Sequence, residues 1–125
     1  MAAWNGWETS VLGQLGYPET TANIEFLDAW QKYEGGTAAY NPLNTTWKMP
    51  GSTNYNSAGV QNYLSASQGT QATVRTLNDG YYPHVLAALK SGSPCEYANR
   101  SGLVADISTW GTTGFANSLK SGSCP

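Results

Sequence analysis

Acidic side chains are the groups through which this sequence could best perform acid–base chemistry, and they are few. The chain has eight Asp and Glu residues, six Lys and Arg residues and one histidine. Glu34 differs from the other acids in position, because it follows Leu27 by seven residues and Trp30 by four. That spacing places it on the apolar side of a predicted helix, in the last turn. Burial and the negative end of the helix dipole both disfavour the ionised form, so we expect a raised pKa for Glu34.

A carboxyl group that keeps its proton near neutral pH can act as a general acid, as the protonation of a glycosidic oxygen requires. The pattern also allows a simpler interpretation, in which Glu34 extends into solvent at the helix end and Gly35 is the left-handed cap. If the reaction needed a second carboxylate, the candidates would be Asp79, Glu96 and Asp106. Of these, Asp79 lies in Asn-Asp-Gly, which is more typical of a turn.

Cysteine and histidine chemistry is predicted less strongly. His84 and Cys95 would need a third, orienting group to form a nucleophile, and Cys95 has a plausible disulfide partner in Cys124. Cys95 lies in Gly-Ser-Pro-Cys and Cys124 in Gly-Ser-Cys-Pro, which are typical of exposed turns, so we expect them to pair and to reach an oxidising location. One histidine and dispersed carboxylates form no cluster at metal-ligand spacing, and no cofactor is expected.

The composition limits the class of partner. Charged residues make up 11% of the chain, the formal charge is −2, and the basic residues are scattered, which argues against nucleic-acid binding. The many Gly, Ser, Thr, Asn, Tyr and Trp residues predict a surface of neutral hydrogen-bonding groups and flat rings. Such a surface is typical of sugar-binding proteins and equally of secreted domains with few charges. No apolar run approaches the roughly 18 residues of a membrane span. We expect one domain over residues 1–125, acting as a monomer without membrane insertion.

Helical periodicity predicts a mainly α chain that positions Glu34. Predicted helices cover residues 3–15, the segment from the Thr20-Thr21 cap to Gly35-Gly36, 67–77, 83–89 and two weaker patches within 99–119. Residues 37–63 are rich in Asn, Pro, Gly, Ser and Thr and predict loops around a small hairpin or irregular lobe. Because this lobe directly follows the central helix, it could form a cleft wall with Glu34 at the floor.

Several segments resemble lysozyme-like domains of actinobacterial phages and their hosts. The resemblance covers residues 26–114 and is carried by Trp30-Gln-Lys-Tyr-Glu34-Gly-Gly, Tyr40-Asn-Pro-Leu-Asn44-Thr-Thr, Tyr55-Asn56-Ser-Ala-Gly59-Val60-Gln-Asn-Tyr63, Gly69-Thr-Gln-Ala-Thr73-Val-Arg-Thr-Leu77 and Trp110-Gly111-Thr112. More remotely, the chain is similar to bacterial glucosaminidases of the flagellar and autolysin type. It departs from them where Gly35 replaces the serine that follows the acid.

The resemblance implies a lysozyme-like α+β fold and a peptidoglycan hydrolase of the lysozyme or endolysin type. Such an enzyme, a muramidase or an N-acetylglucosaminidase, would cleave a β-1,4 bond between N-acetylmuramic acid and N-acetylglucosamine with Glu34 as its single general acid. The second carboxylate of some relatives has no counterpart between Glu34 and Asp79. A lytic transglycosylase giving 1,6-anhydro products and a non-catalytic wall-binding module therefore remain alternatives.

The expected partner is the peptidoglycan of bacterial cell walls, so we expect an extracellular or cell-wall location. The chain begins without a basic and apolar leader, so we expect that a signal was removed, that export occurs by another route, or that the protein is released in phage lysis.

Sugar contacts are predicted in the lobe and in the turn after the next helix. Tyrosine combines an apolar face with a polar tip, and amides and hydroxyls match acetamido groups without charge. The candidates are Tyr40, Asn44, Thr45, Tyr55, Asn56, Tyr63 and Tyr81. Each could equally pack in the core or satisfy its own loop. Trp4 and Trp7 are assigned to packing, and Trp110 to packing or to a cleft edge.

Overall fold

The helix that ends at Glu34 contacts the first and last helices of the chain in the computed structural model, which describes residues 3–125. Within these residues the chain forms six α-helices, one 3₁₀ turn at Pro94–Glu96 and one pair of short strands. The helices are α1 Trp7–Leu15, α2 Thr21–Glu34, α3 Ala66–Leu77, α4 Pro83–Ser91, α5 Arg100–Trp110 and α6 Thr113–Lys120. The strands are β1 Thr53–Asn54 and β2 Gln61–Asn62. The prediction of a mainly α chain with a small hairpin is confirmed.

Helix α2 begins and ends where its sequence signals predict. The Thr20 hydroxyl oxygen accepts the backbone N–H of Asn23 at 3.1 Å, and Gly35 closes the helix in the left-handed conformation at φ 59°. The predicted start of the first helix at Ala3 is wrong. The chain passes through Gly6 at φ 85°, a conformation that interrupts a right-handed helix, so α1 begins at Trp7.

The lobe between α2 and α3 is held by buried amides. Its strands pair antiparallel, with Thr53 opposite Asn62 and Asn54 opposite Gln61. The buried Asn41 side chain donates to the carbonyl oxygens of Thr45 at 2.8 Å and Gln61 at 2.9 Å, and it accepts the Thr45 N–H at 2.9 Å. The lobe has few apolar side chains, so these hydrogen bonds hold its backbone in place.

Apolar side chains from all six helices form one main core. It includes Trp7, as predicted, and the aromatic group of Phe26, Trp30 and Phe115, with ring centroids 5.1–6.5 Å apart. Every helix within residues 3–125 is too short or too polar to span a lipid bilayer.

The predicted disulfide between Cys95 and Cys124 is present, with a Cα–Cα distance of 5.7 Å. It encloses α5 and α6. Because both cysteines are in the disulfide, the thiol-nucleophile hypothesis for Cys95 is excluded.

Candidate active site

Glu34 is the last residue of α2, and both oxygens of its half-buried carboxyl group are hydrogen-bonded. Oε1 accepts the Asn44 side-chain N–H at 2.9 Å, and Oε2 accepts the hydroxyl of Thr112. Burial raises the pKa of Glu34, and the hydrogen bonds from Thr112 and Asn44 oppose this shift without cancelling it. The carboxyl group is thus fixed in orientation and holds its proton more tightly than a free glutamate.

Asn44 reaches Glu34 from the first turn of the lobe, where the backbone adopts φ 57°. Asparagine tolerates this left-handed conformation better than most residues, because its short polar side chain can bond locally. Gly36 makes room for the contact, since a Cβ at that position would lie 1.9 Å from the Asn44 Oδ1. Of the two glycines after Glu34, Gly35 therefore ends the helix and Gly36 leaves space for the side-chain amide of Asn44.

Thr112 lies between α5 and α6 and approaches Glu34 from the opposite end of the sequence. Its hydroxyl oxygen also accepts the indole N–H of the buried Trp30 at 2.8 Å. Sequence reasoning placed Thr112 within a family-like motif but assigned it no role. A signal was available, because a buried tryptophan on the same helix as the acid needs an acceptor for its N–H.

A cavity of about 100 Å³ lies beside Asn44. It is lined by Asn44, Thr45, Thr46, Thr76, Tyr82 and Trp110. The Trp110 indole N–H donates to the Leu43 carbonyl oxygen at 2.8 Å, and its ring packs on that of Tyr82 at 5.1 Å. Trp110 thus bonds α5 to the lobe and also lines the cavity. Side chains without formal charge and two aromatic rings give this cavity the character of a small neutral polar pocket.

Two of the predicted sugar contacts, Asn44 and Thr45, line this cavity. Thr45 is buried, and its hydroxyl is hydrogen-bonded to that of Thr76 on α3. Asn44, a predicted sugar contact, is also hydrogen-bonded to Glu34.

Tyr40 and Tyr63 lie in packing positions. The ring of Tyr40 packs against Trp4 with centroids 6.0 Å apart, which agrees with the packing role predicted for Trp4. Tyr63 is buried with Met49 and Ala72, its hydroxyl donates to the Trp47 carbonyl oxygen at 2.5 Å, and burial raises its pKa. The hydroxyl of Tyr63 is thus engaged within the protein, whereas Tyr40 is partly buried through its ring.

The remaining predicted contacts are exposed. Tyr55 is hydrogen-bonded to the hydroxyl of Thr37, and the Asn56 Oδ1 accepts the Val60 N–H at 3.2 Å. Tyr81 is 68% exposed. Tyr55 and Tyr81 thus present aromatic surface to solvent, whereas Asn56 stabilises its own turn.

Two of the three candidate second carboxylates, Asp79 and Asp106, accept backbone N–H groups. Asp79 accepts the N–H of Tyr81 at 3.1 Å, as the turn prediction requires. The buried Asp106 accepts the N–H groups of His84 at 2.6 Å and Val85 at 3.0 Å at the start of α4. Glu96 is exposed in the 3₁₀ turn.

Among residues 3–125, no three His, Cys, Asp or Glu side chains lie close enough together to hold a metal ion.

Comparison of the chain with protein-family models, with curated proteins and with solved structures found no significant match.

Proposed function

We propose that this protein cleaves the β-1,4-linked glycan strand of bacterial peptidoglycan, with Glu34 as the general acid. The observation that carries the proposal is the state of the Glu34 carboxyl group, which is half-buried, held by Asn44 and Thr112, and raised in pKa. An oriented carboxyl group whose pKa is raised is suited to donate the proton that the departure of a sugar alcohol requires. The sequence resemblance to lysozyme-like domains supports the same assignment.

In the proposed reaction the Glu34 proton moves to the glycosidic oxygen as the bond from that oxygen to the anomeric carbon breaks. The bonding electron pair leaves with the oxygen, and positive charge develops on the sugar ring. The carboxylate formed at Glu34 stays hydrogen-bonded to Asn44 and Thr112. Donors already aimed at the group that becomes negative stabilise it without reorganisation.

Within residues 3–125, neither the hydrogen-bond partners of the Glu34 carboxyl group nor the side chains that line the cavity beside Asn44 include a second carboxylate, which favours a mechanism with one protein carboxylate. The anomeric carbon would then be attacked by water or by a group of the substrate itself. Attack by the C6 hydroxyl, with its proton returned to Glu34, would give a 1,6-anhydro end, as a lytic transglycosylase does. Attack by water, directly or after participation of the acetamido group, would give a reducing end.

The cavity beside Asn44, about 100 Å³ in volume, is of a size for an acetamido group and not for a whole sugar ring, and its neutral lining suits such a group better than a charged one. A mainly α chain with a hairpin lobe after the helix of the acid is compatible with the lysozyme-like arrangement. The disulfide supports an oxidising, extracellular setting such as the cell wall.

The test is to incubate the wild-type protein and its Glu34→Gln variant with purified peptidoglycan and to identify the released fragments by mass spectrometry. We expect fragments from the wild type alone. A 1,6-anhydro end is lighter than a reducing end by one water, so the same spectra separate the two chemistries. Binding to peptidoglycan without release by either protein would instead favour the wall-binding module.

A further inference from the structure

The hydrogen bonds from Trp30 to Thr112 and from Thr112 to Glu34 run in one direction. An indole N–H can only donate, so the Thr112 hydroxyl oxygen must accept the bond from Trp30. The hydroxyl has one hydrogen of its own, and the Oε2 atom of Glu34 is the acceptor beside it. The order of donors is therefore fixed from the buried core to the acid.

The Thr112 side chain also lacks the helix-capping hydrogen bond that is usual at its position. It is the N-cap residue of α6, where a threonine side chain usually accepts a backbone N–H from the first turn, but its side chain makes no such bond. Thr20, at the same position of α2, does cap its helix. The Thr112 hydroxyl is bonded to a carboxyl group and does not cap its helix. Exceptions of this kind to local structural rules are found at functional sites.

The two oxygens of Glu34 are consequently not equivalent. Oε2 points to Thr112, which is 4% exposed, whereas Oε1 is bonded to Asn44, which lines the cavity. Each oxygen accepts one donor, so burial and not the hydrogen bonds distinguishes them. A proton on Oε2 would face the enclosed Thr112, whereas a proton on Oε1 would face the side on which Asn44 lines the cavity.

We propose that Thr112, polarised by Trp30, is a positioning residue that keeps Oε2 as an acceptor and leaves Oε1 as the atom that protonates the substrate. This inference rests on the function proposed above. As the O–H bond at Oε1 breaks and the proton joins the glycosidic oxygen, the negative charge spreads to Oε2. The bond from Thr112 strengthens as that charge develops, because hydrogen bonds to ionised acceptors are the stronger ones.

The test compares Thr112→Val, which keeps the size of the side chain and removes the donor, with Thr112→Ser, which keeps the donor. On purified peptidoglycan we expect Thr112→Val to lower kcat about tenfold, the scale of one hydrogen bond to a charged group, with little change in KM. The upper pH limit of its activity should move to higher pH, because the ionised Glu34 loses a donor. Thr112→Ser should restore both kcat and the pH profile.

Thr113→Val is the matched control, since Thr113 is the exposed neighbour at the first position of α6. Thermal melting checks that each variant folds, and Thr112→Ala replaces Thr112→Val if the latter does not. Wild-type kcat and pH profile in the folded donor-free variant would overturn the role of Thr112. An equal loss in Thr112→Ser would also overturn it. Glu34→Gln, assayed in parallel, separates the two claims, because its full activity would instead refute the proposed function.

Discussion

The side-chain amide of Asn44 lies 2.9 Å from Oε1 of Glu34 and 3.3 Å from the backbone carbonyl oxygen of the same residue. One amide group thus ties the lobe both to the acid and to the end of the helix that carries it. This contact joins elements that are separate in the fold, so the geometry of the acid depends on how the lobe docks.

Asn44→Asp should raise the pKa of Glu34, because it replaces a donor with a second carboxylate about 3 Å away, and like charges disfavour ionisation. Aspartate also tolerates the left-handed backbone at this position, so the fold should persist. We expect the upper pH limit of glycan cleavage to move upward by about one unit. The measurement is the rate of fragment release as a function of pH. Asn117→Asp, which adds the same charge at an exposed site on α6, should leave the profile in place, and a matching shift there would contradict the assignment.

Glu34 should make the folded state less stable as the pH rises. Its pKa is raised in the folded protein relative to the unfolded chain, so between the two pKa values the folded state binds the proton more tightly and stability falls with pH. Glu34→Gln removes this titration. The melting temperature of the variant minus that of the wild type should therefore increase as the pH rises above about 4.3, the ordinary pKa of glutamate, and should level off above the pKa of Glu34 in the folded protein. A difference that does not vary with pH would contradict the raised pKa of Glu34.

Asp106 should matter for stability and not for the reaction. Asp106→Asn weakens the acceptor for the N–H groups of His84 and Val85, which should cost about 1–3 kcal/mol of unfolding free energy. Cleavage per folded molecule should be retained. Asp79→Asn, in an exposed turn, is the matched control and should change the unfolding free energy little. Chemical denaturation and the cleavage assay measure both quantities. A collapse of kcat in Asp106→Asn at unchanged stability would identify Asp106 as a second catalytic carboxylate.

The disulfide should contribute mainly to thermal stability. Cys95 and Cys124 are separated by 29 positions, and a closure of this length stabilises a fold by about 3 kcal/mol through the entropy of the unfolded chain. The double variant Cys95→Ser with Cys124→Ser should therefore melt about 10 °C lower than the wild type. Calorimetry of both proteins tests this. An unchanged melting temperature would mean that the contacts of α5 and α6 alone hold this segment.

Local signals predicted the helix of the acid well. Thr20 caps α2 and Gly35 ends it, because both features depend on residues within one turn. The first helix was predicted to begin too early, since helical spacing over Trp4 and Trp7 does not reveal the left-handed backbone at Gly6.

The candidate site was only partly predictable. The position of Glu34 at the end of α2 could be predicted, because its helix face is set by nearby residues. Thr112 lies 78 positions further along the chain, so its contact depends on how the segment before α6 packs against α2. Tyr40 and Tyr63 were predicted as sugar contacts but lie in packing positions. A tyrosine in a polar lobe has the same sequence pattern whether it packs within the protein or binds a ligand.

The rate of peptidoglycan cleavage by Glu34→Gln, compared with that of the control variant Glu8→Gln, tests most directly whether Glu34 is the general acid. Glu8 is a suitable control because burial also raises its pKa, yet it lies in the first turn of α1. We predict that Glu34→Gln folds but cleaves at least about a hundredfold more slowly than the wild type, as loss of a general acid implies, while Glu8→Gln keeps the wild-type rate. Release of glycan fragments by Glu34→Gln at the wild-type rate would contradict the central claim.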